Sequence, residues 1–320
     1  MRSEFDFINY IKERHKLKAI GDDCSVVPTD GLLDQLFTVD LLIENVDFRL
    51  DWTTPALLGH KALAVSLSDV AAMGGTPKYA MLSLGVPDSL WKTPFLDEFY
   101  EGWHSLAGVY GVELVGGDIS KAGELIIDSF VIGQAPRGKA LLRSGAKPGD
   151  LIFVTGELGG ASLGLSLLEN GTRPGDHIAD FHRDAILRQL KPTPQVAIGK
   201  SLLERQLATS AIDLSDGISS DLFHICQASK VGAIIDASKL PIANGATLET
   251  ALNGGEDFEL LFTVPAERRN DAEALGGTEI GSVTTKSDGI LVQIDGETRP
   301  LVPRGFEHFR REIPDDRASN

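Results

Sequence analysis

The chain has 320 residues, 42% of them hydrophobic, with 46 acidic residues against 30 basic ones and a formal net charge of −16. That content marks a globular chain, with room for two domains at about 100–200 residues each. The charge argues against nucleic acid or an anionic membrane as a main partner.

Residues 4–16 read as a short helix, and 35–44 as a strand that is apolar on both faces and so expected to be buried. Thr54-Pro55 reads as an N-cap followed by proline at the first helical position, opening a helix to about Met73 that stops at Gly74-Gly75. Along it Leu58, Ala62, Val65 and Asp69 recur at helical spacing, which sets a carboxylate near an apolar face. A strand at 78–86, a helix at 92–109, a strand at 112–115 ending at Gly116-Gly117-Asp118 and a strand at 124–134 follow. The polar stretch Gln134–Asp150 is read as the boundary between a domain of residues 1–137 and one of 138–320. The second half reads as strand 151–155, a glycine turn, helix 161–169, a polar connection over 172–184, helix 194–208, strand 210–213, helix 218–230, strand 233–236, strand 257–264 and a strand pair within 279–294. The tail after Pro314 is expected to be disordered. The expectation is an α/β (α+β) protein of two similar domains.

Five short segments set Asp beside Gly or Ser: Gly21-Asp22-Asp23-Cys24, Leu67-Ser68-Asp69, Gly116-Gly117-Asp118, Asp213-Leu214-Ser215-Asp216-Gly217 and Gly254-Gly255-Glu256-Asp257. Most follow or interrupt an apolar run, where sites of α/β proteins are built. Asp40 lies within an apolar strand, where an unpaired carboxylate costs several kcal/mol. Any one of these has an ordinary reading; Asp22-Asp23 suits a surface turn, and Asp216 suits a helix N-cap. Together they point to hard cations, Mg²⁺ first, and through them to phosphates. The seven histidines share no spacing with one another or with cysteine, so neither a zinc site nor a Ser-His-Asp triad is supported. Cys24 and Cys226 are far apart, the first 18 residues lack a signal-peptide core, and no apolar run reaches about 18 residues, so a cytoplasmic protein outside the membrane is expected.

Gly133 to Ala140 nearly matches a phosphate-binding loop, but Ala140 offers no hydroxyl and Pro136 no N–H, so it reads as a linker. The glycines at 156, 159, 160 and 164 fit either a phosphate-binding helix start or a tight turn with close helix packing.

Taken together, the acidic segments, Gly59 to Gly74, Arg143 to Asp150, Ala211 to Gly217 and Gly254 to Leu260 resemble the thiamine-monophosphate kinase family, within the aminoimidazole ribonucleotide synthetase-like superfamily. The resemblance covers about residues 4–310. It implies a two-domain fold whose N-terminal sheets pair across a homodimer, with ATP in the cleft between domain and partner. It implies Mg²⁺ ligands at Asp23, Thr38, Asp40, Asp69, Asp118, Asp213 and Asp216, and ATP contacts at Gly117, Asp118, Arg143 and Ser215. Thiamine monophosphate would meet Asp47, Glu256 and Phe306, and Asp118, Arg143 and Asp216 would carry the catalysis. Phe306 is read as stacking on a thiamine ring, with a core aromatic as the other reading. Three positions depart from the family pattern: Asp47 where His is expected, Val39 in place of Thr, and Ser66 in place of Asn. The implied reaction is direct transfer from ATP to thiamine monophosphate; the alternatives are another ATP-using synthetase of the superfamily or a non-catalytic binding relative.

Overall fold

The computed structural model describes residues 4–306, with the side chain of Phe5 left aside. The tail beyond Pro314 lies outside the described residues. The first half runs α1 (Glu4–His15), β1 (Ser25–Val27), β2 (Leu33–Ile43), α2 (Pro55–Ala72), β3 (Thr76–Val86), α3 (Asp88–Trp91), α4 (Phe95–Tyr110), β4 (Glu113–Lys121) and β5 (Ile126–Pro136). Its five strands form one sheet in the order β1-β2-β5-β3-β4, antiparallel except for the parallel β3–β4 pair.

The second half runs β6 (Leu151–Val154), α5 (Gly160–Glu169), α6 (Asp180–Leu190), α7 (Val196–Glu204), β7 (Ser210–Asp213), α8 (Ile218–Ser229), β8 (Gly232–Asp236), α9 (Leu248–Asn253), β9 (Leu260–Val264), α10 (Arg269–Glu273), β10 (Thr278–Thr284), β11 (Ile290–Ile294) and β12 (Glu297–Pro300). Its seven strands are ordered β12-β11-β8-β10-β6-β9-β7.

Helix α2 organises the molecule. Thr54 Oγ1 accepts the Leu57 N–H at 3.3 Å and Pro55 opens the first turn, as its sequence predicts. Its partner α4 can approach closely because both contact positions are glycine. A Cβ at Gly59 would sit 1.9 Å from the Phe99 carbonyl oxygen, and one at Gly102 equally near that of Ala56. Most of α2 is buried, between the first sheet, α4 and α7. Four of its polar side chains, Lys61, Ser66, Ser68 and Asp69, therefore need partners inside the protein. All four find them in the site described below.

Strand β2 corrects an expectation. Its even residues Leu36, Thr38 and Leu42 are buried, but Val39 is 60% and Leu41 54% exposed. The strand alternates, because helices cover only one face of this sheet. Tyr79, Met81, Val115 and Ile119 are further exposed apolar residues on its strands. The strand expected to stop at Gly116 instead continues to Lys121, with a register shift against β3 between Ala80 and Met81. Thr93-Pro94 delays the start of the helix expected over 92–109, so α4 begins at Phe95 with Pro94 at its N-cap. The connection over 172–184 gives way to α6 from Asp180, and the helix over 194–208 shortens to α7. Strand β9 begins only at Leu260, because Glu256 and Phe258 hold positive φ of 64° and 50°.

Candidate functional site

The acids converge where the two halves meet. Asp23 precedes β1, Asp40 is on β2, Asp69 is near the end of α2, and Asp213 ends β7. One carboxylate oxygen from each of Asp23, Asp69 and Asp213 lies within 4.8 Å of the others. Hydroxyls orient the group: Thr38 donates to Asp69, Ser66 Oγ donates to Asp40 Oδ2 at 2.7 Å, and Ser68 Oγ donates to Asp213 Oδ2 at 2.7 Å. The Ser68 bond joins the two halves of the chain. Val39 lies on the open face of β2, so its side chain is no loss to this group. Ser66, where Asn was expected, supplies the Asp40 contact itself.

Arg143 closes one side. Its Nε and Nη2 donate to Asp23 Oδ1 at 3.2 and 2.6 Å, and its backbone N–H donates to Asp22 Oδ1 at 2.7 Å. Burial works against the guanidinium charge, but Asp23 outweighs it and holds the group above its ordinary value.

The carboxylates are costly as they stand. Burial, then the charges of Asp40, Asp213 and Asp23, push Asp69 well above the usual range. Burial and Asp23 push Asp213 up to about 8, and burial pushes Asp40 up to about 6 against the Ser66 hydrogen bond. Asp23 also rises, because burial exceeds the help from Arg143. Its Oδ2 is buried without a hydrogen-bond partner. An orphaned carboxylate oxygen among repelling carboxylates and a threonine hydroxyl is a hard oxygen donor set, which fits Mg²⁺ or a similar cation. Cys24 is beside the group, but burial and the neighbouring acids raise its thiol well above its ordinary value, so it stays a neutral packing residue.

Ser215 and Asp216 occupy the turn between β7 and α8. Asp216 does not cap that helix. The N-cap is Gly217, and the buried carboxylate of Asp221 accepts the N–H groups of Asp216 at 3.3 Å and Gly217 at 2.9 Å. Sequence reading missed Asp221, although an acid in the first turn of a helix is a recognisable signal. The glycine turn at 156–160 is also settled: Asp257 accepts from Gly159 N at 2.6 Å and Ala161 N at 3.1 Å, so an internal carboxylate takes the anion position at the start of α5.

Gly117 and Asp118 are not brought to the cluster within one chain. They lie on the exposed edge strand β4, where Asp118 Oδ1 accepts the N–H of Ile119 at 2.9 Å. Asp118 pairs with Ser83, Ser83 with Asp128, and Asp128 with Leu41 beside Asp40. Three strand spacings make that about 14 Å.

The three residues expected to meet thiamine monophosphate divide between two cavities. Asp47, whose Oδ2 accepts the Ile43 N–H at 2.8 Å, lines a small pocket with Trp52, Lys61 and Gln189. Lys61 Nζ, 2.7 Å from Glu256 Oε1, and the Gln189 amide, which donates to Glu256 Oε2, bring Glu256 beside that pocket. Sequence reading missed both, although a lysine inside an apolar helix two turns before Asp69 is a signal. Phe306 instead lines a groove of about 730 Å³ that also includes Asn9, Lys12, Asp22, Arg143 and Phe223. At 55% exposure it is not a core aromatic.

Comparison with known proteins agrees with this architecture. Residues 21–135 match the family model for the AIR synthase related protein, N-terminal domain, and 147–293 match that for its C-terminal domain. The two-domain, two-sheet fold is thus of the AIR synthase related class. Thiamine-monophosphate kinase of Escherichia coli K12 is 41% identical over 309 residues, covering 91% of each chain. That of Bacillus subtilis is 38% identical over 328 residues, covering 96% of this chain and 99% of its own. Among solved structures, AaThiL complexed with AMPPCP and TMP matches with a TM-score of 0.87 at 37% identity, covering 96% of this chain and 97% of that one. The chain belongs to the thiamine-monophosphate kinase family.

Proposed function

We propose that the chain transfers the γ-phosphoryl group of ATP to thiamine monophosphate, giving ADP and thiamine diphosphate. The observation that carries this reading is the convergence of Asp23, Asp69 and Asp213 beside Arg143 in a chain so similar to kinases of that name. The nucleophile is a phosphate oxygen. With a second pKa of about 6, a phosphate monoester is mostly dianionic at pH 7, so no general base is required. The site accordingly needs charge control and alignment.

Asp23, Asp40, Asp69, Asp213 and Asp216, with Thr38, would hold Mg²⁺. The metal, when bound, neutralises the repulsion between the two phosphates. Arg143 leans on Asp23 in this state, and its planar fork suits a phosphate oxygen pair once Asp23 turns to a cation. Ser215, in the turn before α8, would contact the nucleotide phosphates. Asp47, from the small pocket, Glu256 beside it, and Phe306, from the large groove, would contact thiamine monophosphate.

Gly117 and Asp118 complete the site from the second chain of a homodimer. The open apolar face of the first sheet, with Val39, Leu41, Tyr79 and Met81, supports this pairing, since a face of that kind needs cover. The division into residues 1–137 and 138–320 then separates a pairing domain from one that completes the cleft. Among the described residues no helix is long and apolar enough to cross a membrane; the free thiols of Cys24 and Cys226 suit a reduced compartment, which supports placing the enzyme in the cytoplasm.

A ³¹P NMR time course of the purified chain with ATP, Mg²⁺ and thiamine monophosphate tests the proposal. Growth of a thiamine diphosphate ester matched by ADP is expected, with at least a hundredfold loss in Asp69→Asn and Asp216→Asn. Inorganic phosphate released without thiamine diphosphate would move the assignment to a synthetase of the superfamily, and intact ATP to a binding protein.

A further inference from the structure

The segment after β12 is fastened to the turn that carries Asp213 and Asp216. Leu301 is buried in the C-terminal core, and its N–H donates to the Ile290 carbonyl at 2.8 Å. Beyond it the chain crosses the first turn of α8. The Arg304 N–H donates to Ser219 Oγ and the Gly305 N–H to Ser220 Oγ, both at 3.1 Å. The Phe306 N–H reaches the Asp216 carbonyl at 3.3 Å. Two consecutive serines thus meet two consecutive N–H groups, and the register between the segments is set.

The fit is close. Ser219 and Ser220 are both buried. A Cβ at Gly305 would stand 2.2 Å from the Asp216 carbonyl oxygen and 2.5 Å from Ser220 Oγ, so any larger residue lifts the segment off its seat. The groove lined by Phe306 is lined also by Asp22 and Arg143, which border the acid cluster.

We propose that Ser219 and Ser220 are positioning residues for Phe306. Their hydroxyls hold residues 304–306 on the acid-bearing turn, so the aromatic wall for the thiamine ring and the carboxylates for the phosphates move as one body. Correct placement of the acceptor then depends on a contact between residues more than eighty positions apart, which a ring on an unattached tail would not provide. This rests on the kinase reading and on the thiamine contact of Phe306, and the test separates all three.

The test is steady-state kinetics of the full chain with ATP, Mg²⁺ and thiamine monophosphate for four variants: S219A/S220A, Phe306→Ala, the triple combination, and Gly305→Ala. The double variant is expected to raise KM for thiamine monophosphate about tenfold, with kcat and KM for ATP within about twofold. Phe306→Ala should do the same. The triple variant should be no worse than Phe306→Ala, because without the ring the seat has nothing to place. Gly305→Ala should reproduce the KM change by a steric route, which guards against misfolding of the double variant. An unchanged KM for thiamine monophosphate in S219A/S220A and Gly305→Ala, beside a raised one in Phe306→Ala, would overturn the positioning role alone. So would effects that multiply in the triple variant, or a fall in kcat at constant KM. An unchanged KM in Phe306→Ala removes the thiamine contact, and a wild-type chain that forms no thiamine diphosphate removes the kinase reading.

Discussion

Replacing Glu259 by Gln should stabilise the protein at alkaline pH and leave it unchanged in acid. Glu259 is 8% exposed just before β9, with Thr155 Oγ1 donating to its Oε2 at 2.5 Å and accepting the Leu260 N–H at 2.8 Å. Burial, with Asp257 adding to it, pushes its carboxyl from 4.5 up to about 7 against the Thr155 hydrogen bond. Between those values the folded protein keeps a proton that the unfolded chain has released. The cost of ionising Glu259 is therefore absent below pH 4.5, grows through the interval and is complete above about pH 7. Each tenfold in proton affinity is worth about 1.4 kcal/mol, which sets a ceiling of about 3 kcal/mol and, allowing for relaxation around the charge, an effect of about 2 kcal/mol. Gln never ionises, and its amide oxygen still accepts from Thr155. Urea unfolding of both proteins at pH 4.5 and pH 8 is the assay. Equal stability at pH 4.5 and an advantage of about 2 kcal/mol for the variant at pH 8 are expected. A variant less stable at both values, or a difference that ignores pH, would refute the reasoning.

Lys61→Met should lower stability by about 2 kcal/mol, because Glu256, whose side chain is 29% exposed, loses its 2.7 Å partner in a largely buried setting. Adding Glu256→Gln should restore most of that loss, read in a double-mutant cycle by thermal unfolding. Leu41→Arg, on the open face of the first sheet, should give a monomer in size-exclusion chromatography with light scattering and cost at least a hundredfold in activity, while the thermal midpoint stays within a few degrees.

The acidic segments were legible because each carries a local signal, an aspartate beside glycine or serine next to an apolar run. What they assemble was less so. Asp69 and Asp213 are 144 positions apart, and only the packing of α2 against β7 brings them together. Asp118 has the same local signature and lies three strands away, since a motif does not state which neighbour it will face. Lys61 and Gln189 stayed hidden for a related reason: their partner Glu256 sits in a turn with left-handed backbone, a conformation that glutamate rarely signals. Strand β2 was misread on its open face because apolar residues show that a surface needs cover, not whether the cover comes from the same chain.

An active site divided between two chains exists only while the chains are paired. If Asp118 is supplied by a neighbour, as proposed, catalytic capacity at low abundance would rise with the square of the amount of protein, until pairing saturates. A cell could then halve its chain count and lose nearly three quarters of its flux. Two individually dead variants, one altered at Asp118 and the other at Asp213, would regain activity on mixing, because one of the two sites in each hybrid inherits neither defect.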